Sequence, residues 1–253
     1  MIRPLHAARA LLSLVRLVRD PNRLGEVFTL SDNLLGAAPP GRREEIVASV
    51  KATPGAMQAF ADKPRVGKFD LAELARLPVG SLGQVFAEHM LKNNLDPSAL
   101  PSLPSGTDLE FLRAHLYETH DIWHAVTGFD TDVASELGLQ AFYLAQIPGG
   151  LPPAILGLGF FNTLIFSMDQ RDIRMRAIVR GWLLGKNAKP FFGVRWGELW
   201  SLPMAEIRTR LGVDFARAEA SLPGGVPGDS PAAAKRASAG GTHTEASSHA
   251  NAA

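Results

Sequence analysis

Cysteine is absent from the 253 residues. That absence excludes disulfides, thiolate metal sites, iron–sulfur clusters and cysteine nucleophiles together, so any metal must be held by His, Asp and Glu. No segment alternates apolar and polar residues for long enough to build a sheet. No glycine-rich loop of the phosphate-cradling kind occurs, which argues against phosphate-ester chemistry. Acids are missing before Asp20, and formal charge is missing from the 28 residues between Ala141 and Met168. That second gap is long enough to suggest a membrane span. Pro148, Gly149, Gly150, Pro152 and Pro153 interrupt it, however, leaving about 15 mostly apolar residues from Ala154, short of the roughly 20 a span needs. Large apolar residues almost vanish from Leu222 onward, so residues 222–253 are expected to be a disordered tail, in which His243 and His249 are poor ligand candidates.

What is present is a globular composition, 46% hydrophobic and 20% charged. The pattern predicts an all-α protein with one helical domain over residues 1–221. Residues 1–20 read as an amphipathic helix with Arg9, Arg16 and Arg19 on one side and Leu11, Leu14, Val15 and Val18 on the other, suited to docking on the core or on a membrane surface. Helices are expected over 23–35, 42–51, 55–62, 69–76 and 81–93. Pro97, Pro101 and Pro104 then make residues 94–107 a connector. A helix starts at Asp108, and an apolar one follows the Pro148–Pro153 break. In the latter, Gly157 and Gly159 leave room for an elongated apolar ligand, or Phe160 and Phe161 touch a bilayer; a buried core helix is the plain alternative. A basic helix is expected from Asp169 to Leu184, ended by Gly185-Lys186-Asn187, and Trp196 to Leu211 should clamp the helices together.

Charge is unevenly spread. Residues 107–145 carry seven acids against Arg113 alone, and residues 169–195 carry seven bases against Asp169 and Asp172. The acidic segment suits a cation, and the basic one suits anionic head groups or a solvated face. Nothing indicates nucleic acid.

The acidic segment holds the most specific pattern. His120 and His124 share a helix face, Asp121 adjoins the first, and Glu136 follows the second. Two imidazoles with one or two carboxylates make a divalent-metal donor set. On one unbroken helix, His124 and Glu136 would stand about 18 Å apart, too far to share an ion. The chain must therefore fold back between them. Thr127-Gly128 supplies a stop, and Thr131 or Asp132 an N-cap for a second helix, which Pro148-Gly149-Gly150 closes. The motif is not the zincin one, which needs Glu beside the first His. A His-Asp phosphohydrolase would need further ligands, with His89, His115, Asp169 or Asp172 recruited to the site.

The His-Asp-x-x-His motif with Glu136, the Gly-Leu-Pro-x-x-Ile-Leu-Gly run at Gly150–Gly157 and the Leu-Pro-x-Gly-Ser-Leu-Gly run at Leu77–Gly83 resemble the ubiquinone (coenzyme Q) biosynthesis protein 4 family. Arg19-Asp20-Pro21-Asn22-Arg23 and Glu206–Val213 extend the likeness over about residues 5 to 215. The resemblance implies a helical fold. It also implies a divalent metal, zinc foremost, on His120, Asp121, His124 and Glu136, which would also be the catalytic residues. A hydrophobic channel for a prenyl lipid, peripheral membrane attachment and a homodimer follow from it too. Its implied activity is C1 oxidative decarboxylation or hydroxylation of a prenylated quinone precursor. The alternative role is a non-catalytic lipid-binding scaffold that presents substrate to other quinone-biosynthesis enzymes. The implied location is the cytoplasmic face of the inner membrane in a bacterium, or the matrix side of the mitochondrial inner membrane in a eukaryote.

Overall fold

In the computed structural model, residues 4–20, 24–96 and 103–222 are described. Their order is α1 (Pro4–Arg19), α2 (Leu24–Ala37), α3 (Arg42–Lys51), α4 (Ala56–Asp62), α5 (Leu71–Leu74), α6 (Leu82–Lys92), α7 (Asp108–Thr127), α8 (Val133–Gln146), α9 (Leu151–Phe166), α10 (Arg171–Asn187), α11 (Met204–Leu211) and α12 (Phe215–Ala220). Short 3-10 turns lie at Met168–Gln170 and Trp196–Glu198. No strand occurs among the described residues, and the one isolated β-bridge joins Ser81 to Pro203. The fold is all-α.

Local chemistry sets the hairpin at its centre. Thr107 and Glu110 form a reciprocal capping box at the start of α7, satisfying two otherwise orphaned helix donors. Gly128, at φ 69°, ends that helix in the left-handed region a side chain would resist. The Asp132 side chain then accepts from Ala134 and Ser135 N–H to start α8. Arg208 on α11 donates to the Ala125 and Val126 carbonyls at 3.0 and 2.9 Å, placing a cation on the negative end of α7.

Helices α8 and α10 pack backbone to backbone. A Cβ on Gly181 would lie 1.9 Å from the Gly138 carbonyl oxygen, and one on Gly185 would meet Phe142 and Ala145. The main core gathers residues of α3–α8 and α10–α12 around Trp123, Phe142, Phe191 and Trp196. A smaller cluster of Ala10, Leu17, Leu30 and Leu158 joins α1, α2 and α9.

Three expectations need correction. Pro152 and Pro153 fall in the first turn of α9 rather than ahead of it, where a missing N–H costs nothing, so that helix has 16 residues. Gly185 does not end α10, which runs to Asn187; its missing side chain admits the α8 backbone. Helix α12 was not foreseen, and it buries Ala218. Leu222, assigned to the tail, is itself buried at 7% exposure. The remainder of the expected tail, with His243 and His249, lies outside the described residues. So do Pro97 and Pro101 of the connector and the Pro21-Asn22-Arg23 part of the terminal likeness.

Candidate metal centre

The turn between α7 and α8 brings His120, His124 and Glu136 into one cluster, their ligand atoms all within 4.8 Å of one another. The two histidine Nε2 atoms are 3.2 Å apart. Glu136 places one carboxylate oxygen 3.2 Å from His124 Nε2 and the other 3.9 Å from His120 Nε2. His124 is 1% exposed, whereas His120 and Glu136 are about a third and a fifth exposed, so the site opens on one side. Asp121 is not drawn into this cluster of three. It stays near enough for its charge to act on His89, His120, His124 and Tyr143.

Ring orientation is fixed from behind. His124 Nδ1 lies 3.3 Å from the Phe129 carbonyl, to which it can only donate, so its Nε2 presents a lone pair to the cluster when the ring is neutral. His120 Nδ1 lies 3.4 Å from the Tyr143 hydroxyl. Tyr143 is held in turn by stacking on Trp123, with ring centroids 4.2 Å apart. Burial disfavours a charged His124, but the charge and hydrogen bond of Glu136, with help from Asp121 and the Phe129 carbonyl, outweigh it and raise its pKa. Burial and then the neighbouring His124 lower the pKa of His120. Burial would raise the pKa of Glu136, yet the two histidines hold it below the usual carboxylate value.

Two Nε2 atoms at 3.2 Å beside a carboxylate form a convergent set of lone pairs, and the set contains no sulfur. It fits a borderline or hard divalent cation, with His120, His124 and Glu136 as ligands.

Of the other histidines, His115 is committed elsewhere. Its Nδ1 donates to the Pro64 carbonyl at 3.0 Å, and its Nε2 accepts from Gly193 N–H at 3.0 Å. His89 on α6, by sequence a candidate ligand only of a phosphohydrolase, stacks on His124 with ring centroids 5.6 Å apart and planes at 20°. Its Nε2 is buried with no hydrogen-bond partner. No spacing rule links α6 to α7, so nothing in the sequence marks that approach. Asp169 and Asp172 are exposed near the start of α10, outside the cluster. Within α9, Gly159 is filled by Leu137, while Gly157 faces open space. Clefts of about 420 and 220 Å³ open on the surface, the first against α3 and the second beside Arg65 and Arg195. Neither is lined by α9 or by these histidines.

Fold and cluster together define a helical protein with a candidate His-His-Glu metal centre across a hairpin. The chain belongs to the coenzyme Q (ubiquinone) biosynthesis protein Coq4 family, whose sequence profile matches residues 7–216. It is 26% identical over 200 residues to the mitochondrial ubiquinone biosynthesis protein COQ4 of Laccaria bicolor, covering 77% of this chain and 65% of that protein. It is 30% identical over 167 residues to the Yarrowia lipolytica protein of the same name, covering 64% and 62%. The chain thus spans less than two thirds of the length of these two fungal relatives. A crystal structure of a protein described as a ubiquinone biosynthesis protein from Nostoc punctiforme superposes with a TM-score of 0.71 at 30% identity, over 82% of this chain and 98% of that one.

Proposed function

We propose that the chain acts in ubiquinone biosynthesis as a metal-dependent protein working on the head group of a prenylated quinone precursor, at C1, by oxidative decarboxylation or hydroxylation. The observation that carries this reading is the convergence of His120, His124 and Glu136 within the region matched to the family. A divalent metal there, zinc foremost, would supply Lewis acidity toward a carboxylate or phenolate oxygen of the head group.

The chain's own residues do the rest. His124, held by the Phe129 carbonyl, and His120, held by Tyr143, keep their Nε2 atoms aimed at one point. Asp121 adds negative charge beside that point, as a fourth ligand or from behind. Tyr143 is buried and its pKa is raised well above the ordinary value by burial and then by Asp121 and Glu136, so its hydroxyl stays protonated and available as a donor. The prenyl tail would lie along the outer face of α9, where Gly157 leaves open space and Phe161 and Leu164 are exposed. If the ion is zinc, the electrons removed on oxidation must leave for an acceptor outside this cluster, because zinc has a single redox state.

No helix of the described residues is long and apolar enough to cross a membrane. The exposed apolar positions of α1 and α9 support peripheral attachment, on the cytoplasmic face of the inner membrane in a bacterium or the matrix side of the mitochondrial one in a eukaryote; the relatives are named as mitochondrial. The same exposed surface favours a second reading, in which the metal is structural and the protein, alone or as a homodimer, presents prenyl lipid to other quinone-biosynthesis enzymes.

The test is elemental analysis of purified protein together with mass spectrometry of a prenylated carboxyphenol incubated with it. Conversion by the wild type, lost with the metal in His120→Ala and Glu136→Ala, supports catalysis. Metal retention without conversion supports the scaffold, and normal conversion by a metal-free variant overturns the metal-dependent reading.

A further inference from the structure

Arg174 sits where α9 gives way to α10 and is 7% exposed. Its Nη1 donates to Asn162 Oδ1 at 2.7 Å and to Thr163 Oγ1 at 2.8 Å, both neutral. Asn162 in turn donates to the Val18 carbonyl of α1 at 2.6 Å, and the Thr163 hydroxyl to the Gly159 carbonyl at 2.7 Å, so both acceptors are fixed. Among the described residues no carboxylate forms an ion pair with Arg174, and its Nε and Nη2 have neither a protein partner nor complete burial. A largely covered guanidinium hydrogen-bonded only to neutral oxygens has its charge met only at a distance, by Asp169, and its free edge, Nε with Nη2, is the bidentate one.

The surroundings are apolar where solvent would favour polar groups. Phe161, Leu164, Ile165 and Phe166 are each more than half exposed, and Met168 nearly so. Surfaces of this kind mark interaction sites. Helix α9 has no charged residue. Through the Asn162–Val18 bond it adjoins α1, which adds exposed Leu11, Leu12 and Val15 and three arginines without an acid. The acids at the corner are Asp169 and Asp172, with Asp20 just after α1 and Glu26 of α2, which pairs with Arg16 at 2.9 Å. Asp169 lies close enough for its charge to act on Arg174, and Asp172 is 3.4 Å from Arg171.

We propose that this corner seats on an anionic bilayer, with the free edge of Arg174 taking a lipid phosphate while Phe161, Leu164 and Phe166 enter the acyl boundary. This deepens the peripheral-membrane part of the function proposed above and rests on it. A bilayer suits the two features together. A free-phosphate site has no use for a rim of phenylalanines, and a purely apolar partner would leave the arginine charge unmet. The exposed Arg9 and Arg19 of α1 beside the patch, Arg16 being paired with Glu26, give with Arg174 the charge complementarity that selects anionic over neutral lipid.

The experiment is liposome flotation of the full chain with phosphatidylcholine vesicles and with vesicles also containing phosphatidylglycerol. Wild type, Arg174→Gln and the double variant Phe161→Ser/Leu164→Ser are compared, with melting temperature, metal content and light-scattering mass measured on each. The wild type should bind anionic vesicles more tightly. Arg174→Gln should lose roughly fivefold of that preference. The double variant should lose at least about tenfold of binding to either vesicle, since each exposed side chain contributes on the order of its apolar transfer energy. Absence of wild-type binding, a preference unchanged in Arg174→Gln, or a double variant that binds normally would overturn the proposal. So would a double variant that changes only from dimer to monomer, because a second copy would then cover the face. If Arg174→Gln folds poorly, the double variant decides, since both its sites are about 60% exposed and tolerate polar residues. Metal content reports on the metal site separately.

Discussion

The hairpin end of α7 and α8 and the corner formed by α1, α9 and α10 depart from the usual partition of side chains in opposite directions. At the hairpin, histidines, threonines and a glutamate are buried or half-buried; at the corner, phenylalanines and leucines are exposed. The buried polar groups are mostly partnered. Thr119 and Thr127 return their hydroxyls to carbonyls one turn back, and His115 and His124 are tied to backbone carbonyls. Where α9 meets α10, the corner holds the Arg174–Asn162–Thr163 network beside these exposed apolar side chains. On the roles proposed above, lone pairs held at fixed positions need rigid support, whereas a surface meeting a fluid partner needs exposed apolar area and a charge.

The comparison can be broken most severely at the hairpin. His124→Ala should remove nearly all bound divalent metal by elemental analysis, while Leu164→Ser at the corner should leave metal content unchanged. Next in size is Gly181→Ala, whose methyl would overlap the Gly138 carbonyl and push α10 off α8. A loss of about 3 kcal/mol is expected by chemical denaturation.

A pH series should separate the two regions as well. Burial pushes the pKa of His115 down to about 4 from the ordinary 6.5. The folded state therefore keeps this ring neutral where the unfolded chain binds a proton. Its contribution is intact above pH 6.5 and is lost as the pH falls toward 4, by about 3 kcal/mol in all. Unfolding free energy measured across that window should show the slope, and His115→Gln should flatten it.

Asp121→Asn sharpens the hairpin further. A group acting from behind the ligands should weaken metal affinity roughly tenfold, whereas a ligand should match the loss in His124→Ala. Smallest of all, Leu164→Ser should shift stability by no more than about 0.5 kcal/mol, since it is exposed.

Much of the fold was legible because it rests on local signals. Asp108 as a helix start, Gly128 as a stop and Thr131 or Asp132 as a cap follow from which backbone groups need partners and which residue tolerates positive φ; the structure selects Asp132. The helix expected over 42–51 is found at Arg42–Lys51. The misread positions share a different cause. Pro152-Pro153 is compatible with a break or with a helix start, and the start was selected when α9 packed on α8 and α1. Gly185 looks like a terminator until the α8 backbone is seen to occupy the space its side chain would need. Helix α12 is six residues long and is capped by Asp214, with the Arg180 guanidinium lying over Phe215, at a range no local pattern reveals.

The sequence by itself determined the all-α class, the absence of thiolate chemistry, the candidate donor residues and the need for a turn if His124 and Glu136 are to share an ion, because helix periodicity and capping act over a few residues. Tertiary structure alone decided that His120, His124 and Glu136 converge while Asp121 stands beside them. It also decided that His89 stacks on His124 and that the apolar run of α9 faces outward around Arg174. Those outcomes depend on which helix faces meet, and that is set by packing between segments far apart in the chain.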